Sequence, residues 1–347
     1  MLLMVTPYSA RLMGAVMAVA LLGLSPSMAQ QVGLSATRDV SLQREVAHVI
    51  DRGSDWLLGK QGHEGHWGGS DPVRLTALAL MALVGDPVED HAARKRPVIA
   101  VASTYLWEQI LPSSGPEPVK DQKRDLSRAS SALLALSMTS LESRPNAWYQ
   151  VRNELIQQIK ADPDRGLVLD EGTLIALQAL YFSRHLVAVE AQSDTWMMGV
   201  VKPLFQNTAS VEGVVTGETA HPSWQQIGQR LKLASFLGWD HSYPQVDRLR
   251  QRLDATDWLK EGDTRDFAAW LHRVHHIAQP LVWMRVEPAP SDGSVATSWR
   301  QEVILQLMDK QLPQGGWGPL TESSKPEATV ELTSMAVMIL CLLYPGL

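Results

Sequence analysis

Residues 52–67 read RGSDWLLGKQGHEGHW, and residues 309–318, DKQLPQGGWG, repeat the end of that pattern. In both stretches a glutamine precedes a tryptophan by six residues, with a glycine two residues before the tryptophan. The residues of the two copies are Gln61, Gly65, Trp67, Gln311, Gly315 and Trp317. Glycine permits a sharp turn, tryptophan is large with one N–H to satisfy, and glutamine can hydrogen-bond to the last turn of a helix. The pattern predicts a turn that fastens the two helices of a hairpin.

Apolar segments with helical periodicity run in pairs along the chain. The first member of each pair carries a tryptophan, in residues 42–59, 96–111, 147–160, 194–206, 245–260 and 298–310. The second member is richer in Ala, Leu, Ser and Thr, in residues 71–84, 123–139, 170–190, 223–237, 264–280 and 327–343. Six hairpins of similar size can close into a ring. We therefore predict an all-α fold, an (α/α)6 toroid with the tryptophan-bearing helices outside; an open solenoid is the alternative.

The N-terminus has the features of a signal peptide. Arg11 precedes the unbroken apolar run of residues 12–24, and Ser27-Met28-Ala29 supplies the small residues that a signal peptidase reads. The apolar run is short of the ~20 residues that span a bilayer, although an uncleaved anchor is the alternative. The sequence predicts a signal peptide over 1–29, a single toroid domain over 30–347 without a transmembrane segment, and a secreted or periplasmic protein.

The net charge and the single cysteine limit what the protein can be expected to bind and how it is stabilised. Without Arg11 the chain has 31 − 1 = 30 basic and 37 acidic side chains, a net charge of 30 − 37 = −7. An acidic protein of this kind is not expected to bind nucleic acid. The one cysteine, Cys341, lies in an apolar segment, so we predict that it is a core residue.

The first stretch resembles the QW motif of the squalene and hopene cyclases. That motif runs from a basic residue and a glycine through an aromatic residue and a leucine to the glutamine, glycine and tryptophan. Its first four places are filled by Arg52, Gly53, Trp56 and Leu57. The second copy keeps Leu307 but has Gln306 at the aromatic place. The resemblance implies the α/α toroid, shared with protein prenyltransferases, and a structural role for the motif.

The catalytic acids of those cyclases are harder to find. The cyclases that this chain resembles share a DxDD motif, whose acid protonates an alkene. This chain contains no DxDD motif. By position, VLDEGT at 168–173 comes nearest, with Asp170 and Glu171 at the last two places and Val168 at the first. Asp170 and Glu171 are the catalytic candidates, and helix capping is the alternative role.

No metal or cofactor is predicted. The zinc site of the prenyltransferases would need an aspartate at the family's spacing from Cys341, which is absent. His272 and His276 lie four residues apart on one helix face, a spacing that can chelate zinc. Without a third ligand in the sequence, pocket lining and ordinary helix surface remain open for them.

The starts of the second helices are predicted to meet at one mouth of the ring, around a cavity with a floor of Ala and Leu. The polar residues expected at this rim are Asp71, Arg74, Asp125, Arg128, His221, Asp266, His272, His276 and Glu327, beside Asp170 and Glu171. Capping of helix N-termini is again the alternative for the acids.

Three functions remain. A non-catalytic toroid that binds an apolar small molecule or a protein partner fits the missing acid motif and ranks first. A cyclase-like enzyme acting on an isoprenoid is the second. A secreted polysaccharide lyase or glycoside hydrolase is the third, and would use Trp224, Trp270 or Trp283 in a cleft.

Overall fold

The computed structural model describes part of the chain. The described residues are 40–88, 92–110, 126–139, 146–160, 171–186, 198–203, 205, 224–240, 242–254, 258–259, 267–285, 299–318 and 326–346. All regular structure within these ranges is helical. The predicted signal peptide lies outside the described residues.

The helices alternate between two layers. The outer helices are α1 (Val40–Leu58), α3 (Ala92–Ile110), α5 (Asn146–Lys160), α8 (Pro244–Asp254) and α10 (Trp299–Asp309). Residues 198–203 are also helical and occupy the fourth outer place in chain order. The inner helices are α2 (Pro72–Val84), α4 (Leu126–Met138), α6 (Glu171–Ser183), α7 (Trp224–Phe236), α9 (Phe267–Met284) and α11 (Pro326–Leu343). Short 3₁₀ turns follow α6 and α11, at Arg184–Leu186 and Tyr344–Gly346.

The inner helices contact one another in a closed cycle. In the described part of the chain, α2 packs on α4, α4 on α6, α6 on α7, α7 on α9, α9 on α11, and α11 on α2. The contact between α11 and α2 joins the last hairpin to the first. The prediction of an all-α fold is therefore confirmed, and the cycle of contacts among the described inner helices favours a ring over an open solenoid.

The packing explains the composition of the two layers. Ala77, Ala79 and Ala82 of α2 are fully buried, and such small side chains allow the inner helices to approach closely. The largest fully buried side chains are Trp67, Trp148, Trp270 and Trp317. Cys341 is buried in α11, as predicted for a core residue, and burial raises the pKa of its thiol to about 12.

Some boundaries differ from the sequence prediction. The outer helix predicted over 245–260 ends at Asp254, and Trp258 lies in a separate turn where its side chain is buried. Helix α9 continues beyond the predicted end at residue 280, through Pro280, to Met284. In both cases burial of an aromatic or apolar side chain in the ring, and not helix propensity, sets the boundary.

The two glycine-tryptophan turns have matching geometry. The indole Nε1 of Trp67 donates to the carbonyl of Leu57 at 2.8 Å, and that of Trp317 donates to the carbonyl of Leu307 at 2.8 Å. Their backbone N–H groups donate to the hydroxyls of inner-helix threonines, at 3.1 Å for Thr76 and 2.9 Å for Thr333. Each tryptophan thus links the last turn of its outer helix to the following inner helix.

The glutamines act differently from the prediction that they close their own helix. The Gln61 amide donates to the carbonyl of Gly65 at 2.9 Å and to Val98 of the next outer helix at 3.1 Å. Gln311 likewise donates to Gly315 at 2.8 Å and to Val49 of α1 at 2.9 Å. The prediction was wrong in this detail. The tryptophan indole donates to the carbonyl at the end of the outer helix, so the glutamine amide donates to a carbonyl of a neighbouring hairpin instead.

Among the described residues, one helix, α11, is long and apolar enough to cross a membrane. It lies in the inner layer, and 61% of its apolar segment is buried inside the protein. Its apolar composition is therefore accounted for by contacts with α1, α2 and α9.

Candidate functional site

The mouth of the ring contains a cavity of ≈ 320 Å³. Every inner helix contributes at least one residue to its walls, within its first three turns. The lining residues are Arg74, Ser127, Glu171, Ile175, Trp224, Gln225, His272, His276 and Glu331. Ile175 and Trp224 provide apolar surface and the others are polar or charged, so the walls are more polar than the expected lining of Ala and Leu. The volume is at the lower end of the range for small-molecule sites.

An ion pair closes one wall of the cavity. Arg74 of α2 donates two hydrogen bonds to the Glu331 carboxylate of α11, at 2.6 Å and 2.9 Å. The hydrogen bond to Glu331 raises the pKa of Arg74, although burial opposes it. Burial acts to raise the pKa of Glu331, but the hydrogen bonds and charge of Arg74 outweigh it and the pKa is lowered. Glu331 is therefore ionised at neutral pH, and its negative charge is balanced by the positive charge of Arg74.

The remaining rim charges extend this network around the mouth. The Asp71 carboxylate accepts from the backbone N–H of Arg74 at 3.4 Å, as an N-cap does. It also lies 3.5 Å from the Arg74 guanidinium and 3.7 Å from that of Arg128. Glu327 accepts from the backbone N–H groups of Gly69 and Ser70 at 3.1 Å and 2.9 Å. Glu327 thus caps a turn of the first hairpin across the closure of the ring.

Two histidines of α9 form another part of the wall, next to Glu331. His272 and His276 both line the cavity, and the His272 ring nitrogen is 3.9 Å from Glu331. Burial, together with Lys232 and His272, lowers the pKa of His276 to about 3. Burial and the neighbouring basic groups place the pKa of His275 well below its usual value. Both rings are neutral at pH 7. Among the described residues no group of three or more metal-ligating side chains forms around them.

The structure therefore brings together part of the predicted set. Arg74, Glu171, His272 and His276 share the cavity, while Asp71, Arg128 and Glu327 lie in the adjacent charge network. The predicted residues Asp125, Asp170, His221 and Asp266 lie outside the described residues. Glu171 is exposed at the mouth. Of the tryptophans proposed for a cleft, Trp224 lines the cavity and Trp270 is buried in the core.

Sequence reasoning missed Glu331, Ser127, Ile175 and Gln225. For Glu331 a signal existed, since it follows Glu327 by four residues and so lies on the same helix face. Its partner Arg74 is 257 residues away, and only ring closure brings the two together.

Comparison with solved structures shows a likeness in fold. Over 88% of this chain and 99% of the other, the protein is similar to a variant of the type II terpene cyclase MstE from Scytonema, solved in complex with its substrate geranylgeranyl dihydroxybenzoate. The two chains are 13% identical and the TM-score is 0.47. No protein-family model and no curated protein matches the sequence.

Proposed function

We propose that the protein is an exported, non-catalytic toroid that binds a small molecule in the cavity at the mouth of its ring. The observation that carries the proposal is the convergence of all six inner helices on one cavity. Side chains that come from different helices are held in fixed relative positions by the ring, and such preorganisation favours specific binding.

The charge states support binding over acid catalysis. A carboxylic acid can protonate an alkene only if it is itself protonated at the working pH. Glu331 is the less exposed carboxyl of the described lining, and Arg74 keeps it ionised. Glu171 is exposed to solvent at the mouth and is not enclosed with a substrate in the interior of the ring.

The cavity volume also bears on the ligand. About ten water-sized groups fill ≈ 320 Å³. The ligand is therefore a compact molecule, or the end of a longer one whose remainder extends from the mouth. The polar walls call for hydrogen-bonding groups on the part that enters.

Native mass spectrometry of the exported chain tests the proposal. We expect a mature protein that begins at Gln30 in the periplasmic or secreted fraction, with a bound small molecule. Ile175→Trp places a large side chain in the cavity and should eliminate the bound mass. Leu305→Trp, at an exposed position of α10 (46% exposed), is the matched control and should retain it.

Two results would overturn the proposal. One is a wild-type chain that carries no ligand and is not stabilised by an extract of its own host. The other is turnover of an isoprenoid or a polysaccharide that disappears in Glu171→Gln or Glu331→Gln, because the site would then be catalytic.

A further inference from the structure

A polar layer lies inside the ring, below the cavity. The Lys232 ammonium of α7 donates to the Gln178 side-chain oxygen of α6 at 3.3 Å. The Gln178 amide donates in turn to the Gln279 side-chain oxygen of α9 at 3.3 Å. Lys232 is 4% exposed, and Gln178 is 8% exposed. The chain of hydrogen bonds spans three inner helices at a depth where the ring is otherwise apolar.

The position of this layer relative to the cavity follows from helix geometry. Ile175 and His276 line the cavity, and Gln178 and Gln279 follow them by three residues on the same helices. Three residues correspond to a rise of about 4.5 Å and stay on one helix face. Because helical side chains lean toward the N-terminus of their helix, these polar groups lean toward the cavity. The polar layer therefore lies about one helical turn below the residues that line the cavity.

The Lys232 amine has hydrogen-bonding capacity to spare. It carries three N–H groups, and in the described part of the chain no carboxylate lies within 4.0 Å of it. Burial lowers the pKa of Lys232 to about 8, while Glu171 at the mouth acts to raise it. The amine is thus mostly charged at neutral pH, although it is buried against a neutral amide.

Helix α9 carries further buried nitrogen atoms without a partner. The Nδ1 atom of His276 and the Nε atom of Arg273 are buried and have no hydrogen-bond partner among the described residues. The Arg273 guanidinium lies 5.7 Å from the ring centre of Trp224, which lines the cavity. Arg74, by contrast, is occupied by Glu331. The nitrogen atoms with hydrogen-bonding capacity to spare are therefore those of α7 and α9.

We propose that the cavity binds its ligand through an anionic oxygen head group, a carboxylate or a phosphate, that accepts hydrogen bonds from Lys232 and His276. The inference rests on the proposed ligand-binding function and specifies the ligand for that site. A charged acceptor satisfies a buried ammonium better than an amide does, since charge-assisted hydrogen bonds are about twice as strong. Ile175 and Trp224 then contact the apolar body of the ligand.

Three probes of matched length test the head group: octanoate, octyl phosphate and 1-octanol, measured by isothermal titration calorimetry. We expect octanoate or octyl phosphate to bind at least tenfold more tightly than 1-octanol. Lys232→Met keeps the length of the side chain and should remove this preference. Lys202→Met, at an exposed lysine, is the control and should keep it.

The outcomes separate this inference from the proposed function. If all three probes bind equally and Lys232→Met changes nothing, the cavity binds ligands but the anionic head group is wrong. If no probe binds, the head-group inference is overturned, and the mass-spectrometric test of the cavity still decides the proposed function. In the wild-type protein, the side-chain NMR signals of Lys232 should shift on addition of octanoate while those of Lys202 stay, and unchanged Lys232 signals would contradict the proposal even if the Lys232 variant fails to fold.

Discussion

Arg74 and Glu331 are joined by two hydrogen bonds of 2.6 Å and 2.9 Å across 257 residues of sequence. They connect the first inner helix to the last at the mouth of the ring. The same closure is made outside the inner layer by Gln311, whose amide donates to Val49. Ring closure and the shape of the candidate site therefore depend on the same contacts.

Glu331→Gln should destabilise the protein by about 2 kcal/mol. The substitution removes the charged acceptor of a partly buried guanidinium, and hydrogen bonds to charged groups contribute roughly 1.5–3 kcal/mol each before solvent exposure is considered. Urea denaturation measures the change. In a double-mutant cycle with Arg74→Met, the two effects should fall short of additivity, and full additivity would show that the pair does not couple the two helices.

Gly315→Ala should be more damaging than Gly65→Ala. Both glycines have positive φ, +101° and +85°. A methyl group at position 315 would lie 2.5 Å from the backbone oxygen of Arg52, whereas at 65 the nearest atom belongs to the side chain of Val101 and the nearest backbone oxygen is farther away, at 3.0 Å. A side chain can move and a helix carbonyl cannot, so we expect a loss of roughly 2 kcal/mol or more at 315 and less at 65.

Gly199→Ala is the control for the glycine pair. Gly199 lies in the helical residues 198–203, and an added methyl group would meet nothing within 4 Å. The substitution should leave stability unchanged or raise it by about 0.5–1 kcal/mol, because alanine favours the helix. Equal losses at all three glycines would contradict the assignment of positive φ and close backbone approach as the reasons for glycine in the two turns.

His276 should make the fold sensitive to mild acid. Its folded pKa, about 3, is below the usual value for the unfolded chain, so between pH 6.5 and 5 the unfolded chain takes up a proton that the folded protein does not. Stability therefore falls as pH decreases, by at most about 1.4 kcal/mol per pH unit for this group. His276→Gln should reduce the slope of unfolding free energy against pH, and His48→Gln, at an exposed position, should not. His275 contributes in the same direction, so the slope should decrease without vanishing.

Lys232→Met should stabilise the ligand-free protein by about 3 kcal/mol at pH 7, less the cost of leaving Gln178 without its donor. Burial lowers the pKa of Lys232 in the folded protein to about 8, from its ordinary value of 10.5, so the charged amine is disfavoured. Between pH 8 and 10.5 the unfolded chain binds more protons than the folded one, and wild-type stability rises with pH. Glu171, His275 and His276 are the titratable groups coupled to this amine.

The difference between wild type and Lys232→Met isolates this one group. It should shrink as pH rises from 8 to 10.5, and a constant difference would show that burial does not lower the pKa of this lysine in the folded state. A gain in stability together with a loss of anion binding would identify Lys232 as a residue kept for function at a cost in stability.

The sequence by itself determined the hairpins, their number and their layers. Helical periodicity, the tryptophans of the outer segments and the small residues of the inner ones are local signals, and helix α2 was predicted within one residue at 71–84. The glycine and tryptophan positions of the two turns follow from backbone sterics and side-chain size, which also act locally.

The tertiary structure decided the site. Residues that line the cavity come from six helices, and their distances from one another depend on how the ring closes. Periodicity shows which face of a helix is buried but not which face it meets, so the pairing of Arg74 with Glu331 and that of Lys232 with Gln178 were not predictable. Burial also decided the protonation states, because the same histidine or lysine has a different pKa in water and in the interior of the ring.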